Sequence, residues 1–211
     1  GADLNKDQWI QITEIIRKKN LVTICDFAYQ GLGEGIENDA VGVRTLLKNL
    51  DNLIICSSYS KNFGLYSERV GCLIYHSKNM NNYSSVQSNF KKVARTIYSN
   101  PPSHGSDIVK TILSDEKLKS LWEINLSEAK NRIINMRKSL VENLVKENCS
   151  RNFEFIINQK GMFSFTGLSP DEVIQLKEKF SIYIVNSGRI NVAGVTSKNV
   201  NYIAKAISSV I

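Results

Sequence analysis

The sequence predicts an α/β fold in two parts joined by one long helix, and three observations carry that expectation. Short apolar runs of strand length, LVTIC at Leu21–Cys25, LIIC at Leu53–Cys56 and VGCLIY at Val70–Tyr75, alternate with stretches of helical periodicity. From Asp115 onward Leu118, Leu121, Trp122, Leu126, Ala129, Ile133, Met136, Leu140 and Leu144 recur at steps of three and four, which predicts one helix running to about Glu147. Beyond Asn152 strand-like runs alternate with helices again.

Taken in order, Asn5 and Gln8 have capping-box spacing, and Trp9, Ile12, Ile15 and Ile16 share one face of a helix expected over about Lys6–Lys19 and ended by Asn20. LVTIC is expected as a buried strand with Asp26 at its C-terminal end, where open α/β sheets place ligands. A helix over about Val41–Asn49 leads to the second strand, which runs into Ser58, Ser60 and Lys61. Val70–Tyr75 is the third strand, and a helix follows over about Asn82–Arg95. Asn100, Pro101, Pro102 and Gly105 interrupt regular structure before helix resumes near Asp107. In the last third FEFII and MFSFTG read as strands, and so do Ile182–Val185 and Ile190–Val192. Ser169, Pro170 and Glu172 mark a helix start, and Thr196 is expected to cap the last helix.

With 211 residues and 42% hydrophobic content the chain can bury a core, and no apolar run approaches the ~20 residues of a membrane span. The net charge of +7 is dispersed and often sits beside acids, as in DEKLK and KEKF, so it predicts a basic surface suited to anionic substrates and not a nucleic-acid site. Cys25, Cys56, Cys72 and Cys149 form no CxxC pair and are expected as reduced core residues of an intracellular protein, cytoplasmic with a mitochondrial location as the alternative. With His76 and His104 as the only histidines, no metal cluster is expected.

The chemistry concentrates between Cys56 and Gly71. Lys61 follows Ser58 and Ser60 and precedes Arg69 by eight positions, so one segment holds an amine and three groups able to bind phosphate. That is the company an amine needs to react with a phosphorylated aldehyde, which makes Lys61 the candidate Schiff-base lysine.

Five stretches carry a resemblance to a known family: SYSKNFGLYSERVG around Lys61, CDFAYQG around Asp26, YSNPPSHG from Tyr98, GMFSFTGL from Gly161 and SGRINVAG around Arg189. Together they resemble the aspartate aminotransferases, class I transaminases of the fold type I pyridoxal-phosphate enzymes. The resemblance implies the C-terminal part of a large mixed-sheet domain over residues 1–113, and a linking helix with a small α/β C-terminal domain over 114–211. It implies pyridoxal 5'-phosphate as cofactor, Lys61 as its covalent anchor and general acid/base, and Asp26 as the carboxylate facing the pyridine nitrogen. It further implies Tyr29 as the phenol near the ring oxygen, and Ser58, Ser60 and Arg69 as the phosphate-holding groups. Arg189 would grip the substrate α-carboxylate, and Arg95 of the partner subunit the distal carboxylate, which implies a homodimer acting on dicarboxylic amino acids and oxo acids. The expected reaction is transamination between L-aspartate and 2-oxoglutarate. An aromatic-amino-acid transaminase is the alternative, and so is a fragment without catalysis of its own, because the family's N-terminal half has no counterpart in these residues.

Overall fold

In the computed structural model, which describes residues 2–211, the chain forms two units. One is made of Leu4–Gly31 and Ile36–Leu126, the other of the residues up to Asp3, Leu32–Gly35 and Ser127–Ile211. In the first unit the capping box at Asn5 forms with both bonds at 2.9 Å, and α1 runs over Lys6–Lys19. Asn20 ends it in the left-handed region at φ 49°. There the Asn20 and Leu21 N–H groups donate back to Arg17 and Ile16 carbonyls at 3.2 and 3.1 Å.

That exit corrects the first strand. Leu21 is taken up in closing α1, so β1 starts later, at Ile24–Phe27, and contains Asp26 inside the strand and not at its end. Nor is the strand buried on both faces: Ile24 is 64% exposed, and Val22 just before it 87%. As an edge strand, β1 offers only Cys25 and Phe27 to the core.

Next come α2 (Ile36–Asp39), α3 (Val41–Asn49), β2 (Asn52–Ser58), β3 (Gly71–Ser77), α4 (Tyr83–Tyr98) and α5 (His104–Ser114). α6 then runs unbroken over Glu116–Lys146. The sheet order is β1-β2-β3, parallel between β1 and β2 and antiparallel between β2 and β3. Leu53 and Ile55 of β2 form the core with Leu46 and Leu50, and Trp9, Ile16, Cys25 and Phe27 pack against it. Only glycine fits at position 42, because a Cβ there would lie 2.4 Å from the Trp9 ring. Truncating a side chain as buried as Leu53 typically costs about 2–5 kcal/mol.

In the second unit α6 supplies Ile133, Leu140, Val141 and Leu144 to a core shared with Phe153, Ile156, Leu176, Val192, Ala204 and Ile207, all buried. β4 (Phe163–Phe165) pairs antiparallel with β5 (Arg189–Asn191), and α7 (Pro170–Phe180) and α8 (Val200–Val210) pack on each other. The Ser169–Glu172 capping box forms, at 3.2 and 2.8 Å, with proline in the first turn.

Two expected strands do not form. FEFII becomes a 3-10 turn over Glu154–Asn158. Ile182–Val185 stays irregular, because Ser181 turns left-handed at φ 52° and commits the Ile182 N–H to the Leu176 carbonyl at 3.1 Å. A strand exists only where a ladder partner is available, and β4 pairs with β5. The last helix starts at Val200 with Asn199 as its cap residue, and Thr196 acts one turn earlier, its hydroxyl accepting the Asn199 N–H at 3.3 Å. All four cysteines are free thiols, three of them half-buried, while Cys72 is exposed and not a core residue.

Candidate active site

β1 and β2 run parallel, so their C-terminal ends open on one edge of the sheet. Asp26 stands opposite Cys56 in register, and side-chain alternation puts Asp26, Cys56 and Ser58 on the face away from the Leu53 and Ile55 core. The Asp26 carboxylate makes no ion pair among the described residues and is exposed. The neighbouring Cys25 thiol is pushed up, first by burial and then by the charges of Asp26 and Cys56.

The segment between β2 and β3 is a closed loop. Ser58 pairs with Gly71 across the ladder, and the Tyr59 N–H donates to the Val70 carbonyl at 3.2 Å. Gly71 is required at that closure, because a Cβ would lie 2.7 Å from the Ser57 carbonyl oxygen. Lys61 follows one stem of this loop and Arg69 precedes the other, so the pairing of Ser58 with Gly71 and of Tyr59 with Val70 closes the segment that carries both cations. Ser58 Oγ accepts the Ser60 N–H at 3.2 Å, and Ser60 is buried. Burial also pushes the Tyr59 hydroxyl up, with the Cys72 charge second.

Lys61 Nζ lies over the Tyr29 ring, 4.6 Å from its centroid, so the structure brings the predicted amine and the predicted phenol into contact. Such a contact holds an ammonium by the ring's quadrupole without neutralising it. Arg69 adopts φ 51°, a left-handed conformation rare for a residue with a side chain, and its Nη1 donates to the Tyr66 carbonyl at 3.0 Å. It forms no ion pair with Glu68 or any other carboxylate among the described residues. Strained backbone that positions a guanidinium without a carboxylate partner is a feature of ligand-binding loops. Asn62 Oδ1, next to Lys61, is buried without a hydrogen-bond partner in the structure. A loop offering an amine, two hydroxyls and a guanidinium, with no carboxylate paired to either cation among the described residues, suits a phosphorylated aldehyde.

Arg95 lies in the last turn of α4, exposed, with no ion pair among the described residues. His104 is the first residue of α5 and exposed. In the second unit Arg189 opens β5, its guanidinium 4.9 Å from the Phe163 ring centroid and again without a carboxylate. The β4–β5 hairpin is held by α6. Arg132 donates to the Ala193 and Val195 carbonyls, both at 3.1 Å, and buried Arg137 donates to the Gly161 carbonyl and to Ser164 Oγ. Burial pulls the Arg137 guanidinium below its ordinary value.

Residue-type reasoning missed several groups around Lys61. Trp122 Nε1–H donates to the Asn62 carbonyl at 2.7 Å, and its ring stacks on Phe63 at 4.6 Å. The sequence signal from Trp122 was its place on the apolar face of the long helix, which is true of any core tryptophan. One further cavity, an apolar groove of about 440 Å³ lined by Leu73, Tyr75, Phe90, Val93, Ile97 and Tyr98 among others, includes none of the predicted site residues. Among the described residues no cluster of His, Cys, Asp and Glu could hold a metal ion, and no helix is long and apolar enough to cross a membrane.

The parallel strands thus bring a carboxylate, and the closed loop beyond them a lysine, to one side of the sheet, which fits a protein of the aminotransferase kind. The chain belongs to the family described as aminotransferase class I and II, which it matches over residues 1–207. It is 43% identical over its whole length to an aspartate aminotransferase of Haemophilus influenzae and 40% identical to an aromatic-amino-acid aminotransferase of Pseudomonas aeruginosa. In each case it covers 53% of that protein, so the chain spans about half the length of these relatives, the C-terminal half. Among solved structures, 99% of the chain superposes with a TM-score of 0.96 and 44% identity on 52% of an aromatic-amino-acid aminotransferase from Burkholderia pseudomallei, described as covalently bound to pyridoxal phosphate. An aspartate aminotransferase from the cytoplasm of Saccharomyces cerevisiae gives a TM-score of 0.95 at 39% identity, over 99% of this chain and 52% of that one. The fold is that of the fold type I aminotransferases.

Proposed function

We propose that this chain contributes the lysine and a carboxylate-binding arginine to a pyridoxal-phosphate-dependent aminotransferase. It would move an amino group between L-aspartate and 2-oxoglutarate, giving oxaloacetate and L-glutamate. The observation that carries the reading is the closed loop in which Lys61 Nζ faces Tyr29 while Arg69 is left without a carboxylate. When bound, pyridoxal phosphate supplies an electron sink for the charge that develops at the substrate α-carbon.

The residues of this chain then have distinct tasks. Lys61 Nζ would hold the cofactor, and its amine would carry a proton to and from the substrate α-carbon. Arg69 and the Ser58 and Ser60 hydroxyls would hold the phosphate, the guanidinium by its charge and N–H groups. The Asp26 carboxylate keeps a proton on the ring nitrogen through its charge, and the Tyr29 hydroxyl offers a hydrogen bond beside the amine. Arg189 binds the substrate α-carboxylate, and in a homodimer Arg95 of the partner subunit binds the distal one. The free thiols accord with a cytoplasmic protein.

Pyridoxal phosphate added to the chain and trapped with borohydride should label Lys61, and Lys61→Ala should abolish both the label and the absorption band of the bound cofactor. Unchanged labelling in Lys61→Ala would sink the assignment, and no label in either would favour a chain without cofactor binding of its own. A second reading, transamination of aromatic amino acids, is favoured by the relatives themselves, which divide between the two names. Steady-state rates with aspartate and with phenylalanine decide between them, a clear preference for phenylalanine overturning the first.

A further inference from the structure

We infer that Trp122 is a positioning residue for Lys61, an inference that rests on the role of Lys61 proposed above. Lys61 lies between residues that α6 holds from outside the loop. On its C-terminal side the Asn62 carbonyl accepts the Trp122 indole N–H at 2.7 Å, across 60 residues of sequence. Phe63 stacks on the same indole with ring centroids 4.6 Å apart and planes 16° from parallel. On its N-terminal side Tyr59 meets Phe63 edge-on, at 5.5 Å and 90°. The rings of Tyr59, Phe63 and Trp122 form a continuous clamp, and the lysine is the residue that projects from it toward Tyr29.

The same face of α6 sets the other loop. Leu126 follows Trp122 by one turn, so the two side chains share a face. Leu126 is buried so closely against Gly31 that a Cβ at that position would lie 2.4 Å from Leu126 Cδ2. Gly31, at φ 93°, is two residues beyond Tyr29, the residue whose ring lies under Lys61 Nζ. Trp122 therefore fixes the loop that carries the amine, and Leu126 the loop that carries the phenol. Both anchors belong to one rigid helix, which sets the distance between the two loops.

A tryptophan is needed for a stated reason. Asn62 is 9% exposed, so water can replace the indole N–H at its carbonyl only if the loop opens, and phenylalanine would keep the stack but offer no donor. Trp122→Phe thus separates the hydrogen bond from the packing.

Hydrogen exchange and acetic anhydride labelling of the 211-residue chain test this independently of the cofactor. In Trp122→Phe, amides of residues 59–64 should exchange about fivefold faster, the factor expected for one lost net hydrogen bond, while those of α1 and α3 keep their wild-type rates. Acetylation of Lys61 relative to Lys48 and Lys78 should change by a similar factor. Equal exchange in the loop, or faster exchange spread evenly over α1 and α3, would overturn the inference. So would faster loop exchange with unchanged Lys61 labelling, which would make Trp122 structural only. If Trp122→Phe does not fold, Phe63→Leu, which spares the N–H and removes the stack, is read by the same two measurements. Failure of borohydride trapping in the wild type would count against the proposed cofactor role of Lys61 and leave these two readouts intact.

Discussion

In the loop between β2 and β3, Lys61 and Arg69 make no ion pair among the described residues, and the loop is shaped by strand pairing and an aromatic clamp. Around the β4–β5 hairpin the arrangement is reversed. Arg132 and Arg137 are committed to carbonyls and a hydroxyl and Arg151 to Glu172, while Arg189, on the hairpin itself, lies against the Phe163 ring and makes no ion pair among the described residues. Both regions leave a cation without a carboxylate among the described residues, but one builds its frame from rings and backbone and the other from further cations. The difference separates arginines that serve structure from arginines left available for chemistry, on the simple criterion of what their N–H groups already touch.

Substitutions at the two kinds of arginine should fail in different measurements. Arg69→Gln should weaken pyridoxal phosphate uptake by about 10- to 100-fold, the range for a lost charge-assisted hydrogen bond, and leave the unfolding midpoint within about 0.5 kcal/mol of wild type. Equilibrium titration followed by absorbance checks the first value and urea unfolding the second. Loss of stability without loss of affinity would erase the contrast. Arg137→Met should do the opposite. It leaves the Gly161 carbonyl and Ser164 hydroxyl unpartnered in a buried site and should cost about 2 kcal/mol, read from hydrogen exchange in β4 and α8. Arg132→Gln, at a more exposed pair of carbonyls, should cost about 1 kcal/mol by the same assay.

The smallest effect expected is a pH dependence confined to the second unit. The Glu172 carboxyl is held below the usual carboxylate value, first by its hydrogen bonds to Arg151, against which burial works. A carboxylate with a depressed folded value stabilises fully above its unfolded pKa of ~4.3, and that contribution disappears as pH falls through the folded value. Carbon-detected NMR of Glu172 should therefore show titration below the ordinary glutamate range, with the α7 start loosening in step, and Arg151→Met should return the midpoint to that range. A Glu172 that titrates normally in the wild type would show that this pair is not a structural anchor.

Much of this was legible from local sequence because its causes are local. The capping boxes at Asn5 and Ser169 close within three residues, and the α6 periodicity needs only an apolar face. The candidate lysine segment was legible for the same reason, since its amine, two hydroxyls and guanidinium all lie in one short span, residues 58–69. What the sequence could not show depends on partners far along the chain. Ile182–Val185 has strand composition but no ladder to join, and LVTIC loses its first residues to the closing of α1. Arg69 and Arg137 look alike as letters, yet one is exposed and free of carboxylates while the other is buried against a hydroxyl and a carbonyl. The sequence by itself pointed to most of the elements, to the family and to Lys61 as the candidate amine. Only the tertiary structure decided which cations remain available and that Trp122, 60 residues away, holds the Asn62 carbonyl, because hydrogen bonds and desolvation depend on neighbours in space and not on neighbours in the chain.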